Sequence, residues 1–243
     1  MHPEDLAVEQ TVSFVLTHLP PPPLRILDVG CGHGLIASRL QGLGYDLVAI
    51  DESAESVQQT RALGVEASVA VWPAFTDEPF DVVLWARSLH HIQPLAEAVT
   101  QAYRLLSPHG LVIVEEFAWA EIDRVTAEWF YSIVRLLASC RAIATKENSF
   151  VTELIQHEGD FAFWQDSHDH DLHSVEAMWS ALQNHFQSLS ETEAPYLYRY
   201  LGPVAAENEE GYRIVSEVFK IENRLAQLNV IKRIGRRFVG RKE

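Results

Sequence analysis

Short apolar runs alternate with stretches of helical spacing through the first half of the chain. Leu6, Val8, Val12, Val15, Leu16 and Leu19 share one face of a helix predicted over 4–19, which Pro20 to Pro23 bring to a stop. An apolar strand then runs to Val29, followed by a helix over 35–43, a strand over 47–50, a helix over 54–63 and a strand over 66–71. A strand over 81–86, a helix over 95–106 and a strand over 110–116 complete this half. Strands separated by helices need crossover connections, which make a parallel sheet covered on both faces. Such sheets bind ligands beyond the carboxyl ends of their strands, where the strand order reverses. Gly30, Asp51, Trp72 and Arg87 fall at those ends.

The second half has a different rhythm. A long amphipathic stretch over 120–143 is rich in aromatics, with Trp119, Trp129, Phe130 and Tyr131, and a short helix follows over 151–158. The polar run around His168-Asp169-His170-Asp171 leads into a helix over 174–186, with Ser174 as its N-cap and no capping box. Aromatic residues alternating through 193–201 predict a strand, and a helix over 207–228 and a strand over 231–239 close the chain. With no internal repeat and no low-complexity linker, residues 1–243 are read as a single domain.

The chain is organised around Ile26-Leu27-Asp28-Val29-Gly30-Cys31-Gly32-His33-Gly34. An apolar run ends in an acid and breaks into a turn with glycine at alternate positions, where backbone can approach a ligand closely and adopt positive φ. The spacing is neither the dinucleotide fingerprint G-x-G-x-x-G nor the phosphate loop, which needs a lysine. Asp28 would repel a pyrophosphate and suits a cationic ligand. The arrangement resembles the first motif of class I S-adenosylmethionine-dependent methyltransferases, of the small-molecule type. The resemblance covers 24–116 well and the remainder loosely.

It implies a Rossmann-like α/β fold: a doubly wound, mostly parallel seven-stranded sheet, its last strand inserted antiparallel. An α-helical lid insertion, residues 118–173, would lie between strands 5 and 6, and residues 1–19 would form an N-terminal helix. S-adenosylmethionine would be the cofactor and S-adenosylhomocysteine the product. Asp28, Gly30, Cys31, Gly32 and Gly34 would wrap its methionine half, and Asp51 would hold the ribose hydroxyls. Glu52, Trp72 and Arg87 complete the implied cofactor set, although Glu52 is polar where the family is usually apolar. Val71-Trp72-Pro73 also replaces the acid that commonly meets adenine, leaving Trp72 to stack on the ring.

Methyl transfer from a sulfonium needs alignment and, for O–H or N–H⁺ acceptors, a base. His90 and His91 sit on the loop after the fourth strand, and a free imidazole titrates at about 6.5. Adjacent side chains diverge, so one of the two faces the cofactor, and His91 is favoured; the alternative is that both merely order the loop. Trp119, Trp129 and Tyr131, with His168 and His170, are expected to face the acceptor, against the plainer readings of core packing and loop polarity. Interleaved imidazoles and carboxylates also invite a metal, but a segment running into a helix start does not converge on one ion, and none is expected.

Composition narrows the partners. The chain has 243 residues, 47% of them apolar, a formal charge of −15 and two cysteines. That charge argues against a nucleic-acid surface, and no apolar run approaches a membrane span. An acidic start without a signal-peptide pattern and the lack of a disulfide framework predict a cytoplasmic protein. The loop after the fourth strand lacks the Asn/Asp-Pro-Pro-aromatic run of amino-methylating nucleic-acid enzymes, so a small-molecule acceptor is expected. Monomer and homodimer remain open. Two other functions stay in view: binding the cofactor or its product without methyl transfer, and nicotinamide-dependent oxidoreduction, which the glycine spacing disfavours.

Overall fold

A computed structural model describes residues 1–147, 149–168 and 172–243, and for His168 the main chain alone. The first half follows the hydrophobic pattern closely: α1 (Asp5–Leu16), β1 (Arg25–Val29), α2 (Leu35–Gly42), β2 (Asp46–Asp51), α3 (Ala54–Ala62), β3 (Glu66–Val69), β4 (Phe80–Ala86), α4 (Leu95–Leu105) and β5 (Leu106–Phe117). Helices α5 (Arg124–Ser139), α6 (Phe150–Gln156), α7 (Phe161–His168) and α8 (Val175–Gln183) come next, then β6 (Ser190–Ala194), α9 (Glu209–Gln227) and β7 (Gly235–Arg241). The seven strands form one sheet in the order β3-β2-β1-β4-β5-β7-β6. Pairing is parallel from β3 through β5, with Val29 opposite Ile50 and Asp28 opposite both Ala49 and Leu84. The chain winds outward from β1 in one direction and from β4 in the other, so the reversal lies between them.

The chain divides into two compact units. The sheet unit comprises 11–116, 173–192 and 236–243. Its central strands bury Ile26, Leu27, Ile50, Val83, Leu84 and Val112, apolar on both faces as a covered parallel sheet requires. Glu115 on β5 is an exception, as are its neighbour Glu116 and Asp28 on β1. Glu115 accepts hydrogen bonds from Thr11 Oγ1 at 2.5 Å and from Arg237 Nε and Nη2 at 2.9 and 2.7 Å, tying α1 and β7 to the middle of the sheet. The cation repays the burial of this carboxylate, and the guanidinium also covers the Phe14 ring.

The second unit comprises 1–10, 117–172 and 193–235. Phe130, Val134, Leu154, Trp164, Leu197 and Leu201 form its core. The long stretch predicted over 120–143 is shorter as a helix, because Asp123 caps α5 by accepting the Thr126 N–H. The polar run after Phe161 holds a helix that the pattern did not predict: α7 opens with the Asp160 side chain accepting the Ala162 N–H and drives Trp164 into the core.

The strand expected over 193–201 is corrected. Only 193 and 194 extend, and Leu197–Val204 is a 3₁₀ helix. The cause is Glu222 on α9, fully buried, whose Oε1 accepts the N–H groups of Tyr196 and Leu197 at 2.7 and 3.0 Å while Oε2 accepts that of Tyr198 at 3.0 Å. Those amides are unavailable to a neighbouring strand. Leu197, Leu201 and Val204 then share the inward face at helical spacing, and the tyrosine alternation is incidental. Replacing Glu222 by Ala strands three buried donors and is expected to lower stability by about 2–4 kcal/mol in urea unfolding. Gln, which keeps Oε1, should recover about half of that loss.

Candidate functional site at the strand-order reversal

A cavity of about 700 Å³ opens at the carboxyl ends of β1, β2 and β4, and Gly30, Asp51, Glu52, Trp72, Arg87 and His91 stand on its wall. The turn after β1 forms one side. Gly30, Gly32 and Gly34 take φ of 72°, 54° and 73°, which side chains resist. A Cβ on Gly30 would meet Ser88 Cβ at 2.5 Å, and one on Gly34 would meet Thr60 Oγ1 at 2.5 Å. These glycines let the turn press against the loop after β4 and against α3. Ser88 Oγ donates to the Val29 carbonyl and Thr60 Oγ1 to that of Gly32, fixing both approaches.

The amides of this turn are largely spent within the protein. Gly30 and Cys31 donate to the Ile50 carbonyl at 2.8 and 3.1 Å, and Gly32 donates to Asp51 Oδ2 at 2.9 Å. Asp51 Oδ1 accepts the Ser53 N–H at 2.9 Å. The acid ending β2 therefore shapes the glycine turn as well as facing the cavity, with lone pairs left on each oxygen. Cys31 lies behind the turn with its thiol pushed up to about 12, first by burial and then by the neighbouring Asp28 charge. It is a neutral space-filler.

Asp28 is 1% exposed, and its Oδ1 finds no hydrogen-bond partner among the described residues. Burial, then the proximity of Asp51, push its carboxyl up to about 7, with Arg87 opposing. Asp28 is not on the cavity wall, which its neighbour Val29 lines; a buried carboxyl with an unpartnered oxygen favours a cation nearby. Arg87 holds the opposite sign on the wall. Its backbone adopts φ of 65° because its N–H is drawn to the Glu115 carbonyl at 2.7 Å, an arrangement that stores local strain. Trp72 is buried, with its indole N–H donating to the Ala98 carbonyl at 3.1 Å and its ring edge-on to Trp85.

The two histidines differ in exposure, but their side chains do not diverge: the ring centroids lie 4.1 Å apart. His91 is exposed at the cavity, and its pKa is lowered by burial of the ring and by His90, against the pull of Glu116 and Glu52. It is neutral at physiological pH and free to accept a proton. His90 turns inward, 5% exposed, with Nδ1 2.5 Å from Glu116 Oε2. Glu116 escaped the sequence reading, although two acids closing an apolar strand were a signal that something charged or polar awaited them. The sequence reading treats His173 as the end of the 168–173 polar run and not as a partner of this turn: its Nε2 meets the Ile92 carbonyl at 2.9 Å and its main-chain N–H donates to the His90 carbonyl at 2.9 Å.

Of the residues expected to face an acceptor, Trp119, Trp129 and Tyr131 belong to the second unit and pack half-buried against its core. His170 lies outside the described residues, as does the side chain of His168. No group of three metal-ligating side chains occurs among the described residues.

Residues 4–191 match the family described as a methyltransferase domain. A ubiquinone biosynthesis O-methyltransferase from Alkalilimnicola ehrlichii is 41% identical over 98 residues, 37% of this chain and 40% of that protein. The first curated relatives are matched over 34% to 52% of their own length. Among solved structures, a SAM-dependent methyltransferase from Archaeoglobus fulgidus superposes with a TM-score of 0.57 at 13% identity, covering 98% of this chain and 94% of that one. The N-methyltransferase NodS from Bradyrhizobium japonicum WM9, solved with S-adenosylhomocysteine, gives 0.54 at 12% identity, covering 99% and 88%. At these identities the structures speak for the fold, while the match over 4–191 speaks for descent: the chain belongs to the methyltransferase domain family.

Proposed function

We propose that the cavity binds S-adenosylmethionine and that the protein transfers its methyl group to an O, N or C nucleophile of a small molecule. The observation that carries this reading is the convergence of Asp51, Gly30, Arg87 and His91 on one cavity at the strand-order reversal, with Cys31, Gly32 and Gly34 behind its wall-forming residues rather than among them. Asp51 and Glu52 offer acceptors to ribose hydroxyls, and the Trp72 ring offers an apolar face to adenine. Asp28 suits a nearby ammonium, and Arg87 suits a carboxylate. When bound, S-adenosylmethionine supplies a methyl group made electrophilic by the sulfonium. His91 takes the proton of the acceptor, and the wall aligns the two partners. The family's relatives include enzymes named for O-methylation, which fits a hydroxyl acceptor. Two cysteines free of a disulfide support a reducing, cytoplasmic setting as part of this proposal. The defining test is calorimetry with S-adenosylhomocysteine against NAD, followed by labelled-methyl incorporation across metabolite extracts; binding of NAD alone would overturn the reading.

Three outcomes are expected at this site. Asp51→Ala removes the ribose acceptor and loosens the turn, weakening S-adenosylhomocysteine by about tenfold or more in calorimetry. His91→Ala slows turnover more than it weakens cofactor affinity; equal losses would mean a structural histidine. Asp28 makes affinity pH-dependent: its carboxyl is protonated below about 7 and anionic above, so S-adenosylmethionine binds more tightly at pH 7.5 than at pH 6. Asp28→Asn should flatten that difference.

The same residue has a stability signature in the ligand-free protein. A folded-state pKa raised from 3.8 to about 7 favours the protonated form, so its contribution is present below pH 4 and lost as pH rises through 7. Asp28→Asn should therefore raise Tm relative to the wild type at pH 8 and change it little at pH 4.

A further inference from the structure

We propose that Glu116 and His173 are positioning residues that hold the turn carrying His91, an inference that rests on His91 being the base of the cavity. Leu89–His91 is a single 3₁₀ turn, a length that does not keep its own shape. Its internal bonds are His91 N–H to the Ser88 carbonyl and Ile92 N–H to the Leu89 carbonyl, both at 3.1 Å. The His91 imidazole has no hydrogen bond among the described residues, and its ring contact is with His90, centroid to centroid 4.1 Å. The orientation of His91 is therefore borrowed from its neighbour.

His90 in turn is gripped from two sides. Glu116, fully buried at the end of β5, accepts the His90 N–H on Oε1 at 3.3 Å and meets His90 Nδ1 with Oε2. His173 donates its main-chain N–H to the His90 carbonyl and bonds the Ile92 carbonyl through Nε2. A carbonyl only accepts, so that bond requires the Nε2–H tautomer or the imidazolium. The bonds of His173 straddle residue 91, one before it and one after, and pin the turn at both ends. His173 is also the first residue of the chain's return into the sheet unit after 172.

The test uses the ligand-free full chain and its His173→Ala, His173→Gln and Glu116→Gln variants. In His173→Ala, amide exchange at His91 and Ile92 should speed up about fivefold, the worth of one hydrogen bond. The His91 imidazole, faced by His90, Glu116 and Glu52, should titrate closer to its ordinary value as its burial relaxes. Gln, whose amide nitrogen stands where Nε2 stood, should restore both, with S-adenosylhomocysteine affinity held within about twofold. Unchanged exchange and titration in His173→Ala, or failure of Gln to restore them, would overturn the proposal. If His173→Ala does not fold, Glu116→Gln decides in its place, since it too must loosen the turn. Wild-type protein that ignored S-adenosylhomocysteine would count against the function and not against the clamp.

Discussion

The site depends on backbones meeting where no Cβ intervenes. Gly30 brings the turn after β1 against Ser88, and Gly34 brings it against Thr60; a methyl group at either place would force the strand ends apart. Parallel pairing sets β1 beside β2 and β4, but pairing alone leaves the loops above the strands free to splay. The glycine contacts, together with Asp51 holding the Gly32 and Ser53 amides, turn three strand ends into one wall. Because those amides are spent inside the protein, the turn offers a ligand shape and nearby carboxylates more than a row of free donors. The lack of free donors distinguishes the turn physically from a phosphate loop and suits the cationic ligand proposed above.

Much of this was legible in the sequence because it is local. The alternate glycines, the acid ending β2 and the histidines after β4 are each set by residues within one strand and the turn that follows it. The elements of the first half were legible for the same reason: apolar periodicity reports burial in a covered sheet. What was hidden depends on distant partners. Glu222 captures the amides of 196–198 from 24 to 26 residues away and converts a plausible strand into a 3₁₀ helix. Glu116 and His173 act on a turn 26 and 81 residues from them, and no spacing rule relates such positions. The aromatics near 130 were visible as an apolar face, but whether a face packs inward or meets a ligand is decided by what folds onto it.

Buried carboxylates in this protein divide into two kinds. Glu115 has its cation, and Glu222 has three backbone donors; both hold elements together. Asp28 has neither. An acid that stays half protonated at neutral pH in the empty protein costs stability relative to an amide, and such a cost is characteristic of groups kept for function rather than for packing.

Burial drives Asp28 and His91 toward neutrality from opposite sides. Burial raises Asp28 and lowers His91, so the empty site carries less charge than its composition suggests. A cationic ligand reverses the first shift and reinforces the second. Positive charge beside Asp28 favours the carboxylate, while positive charge near His91 favours the neutral imidazole. Under the function proposed above, binding of the cation would act on both groups at once, through electrostatics alone. Orientation is the part that electrostatics cannot supply, and in the arrangement proposed above it would fall to the buried pair of His90 and Glu116 against which the His91 ring packs.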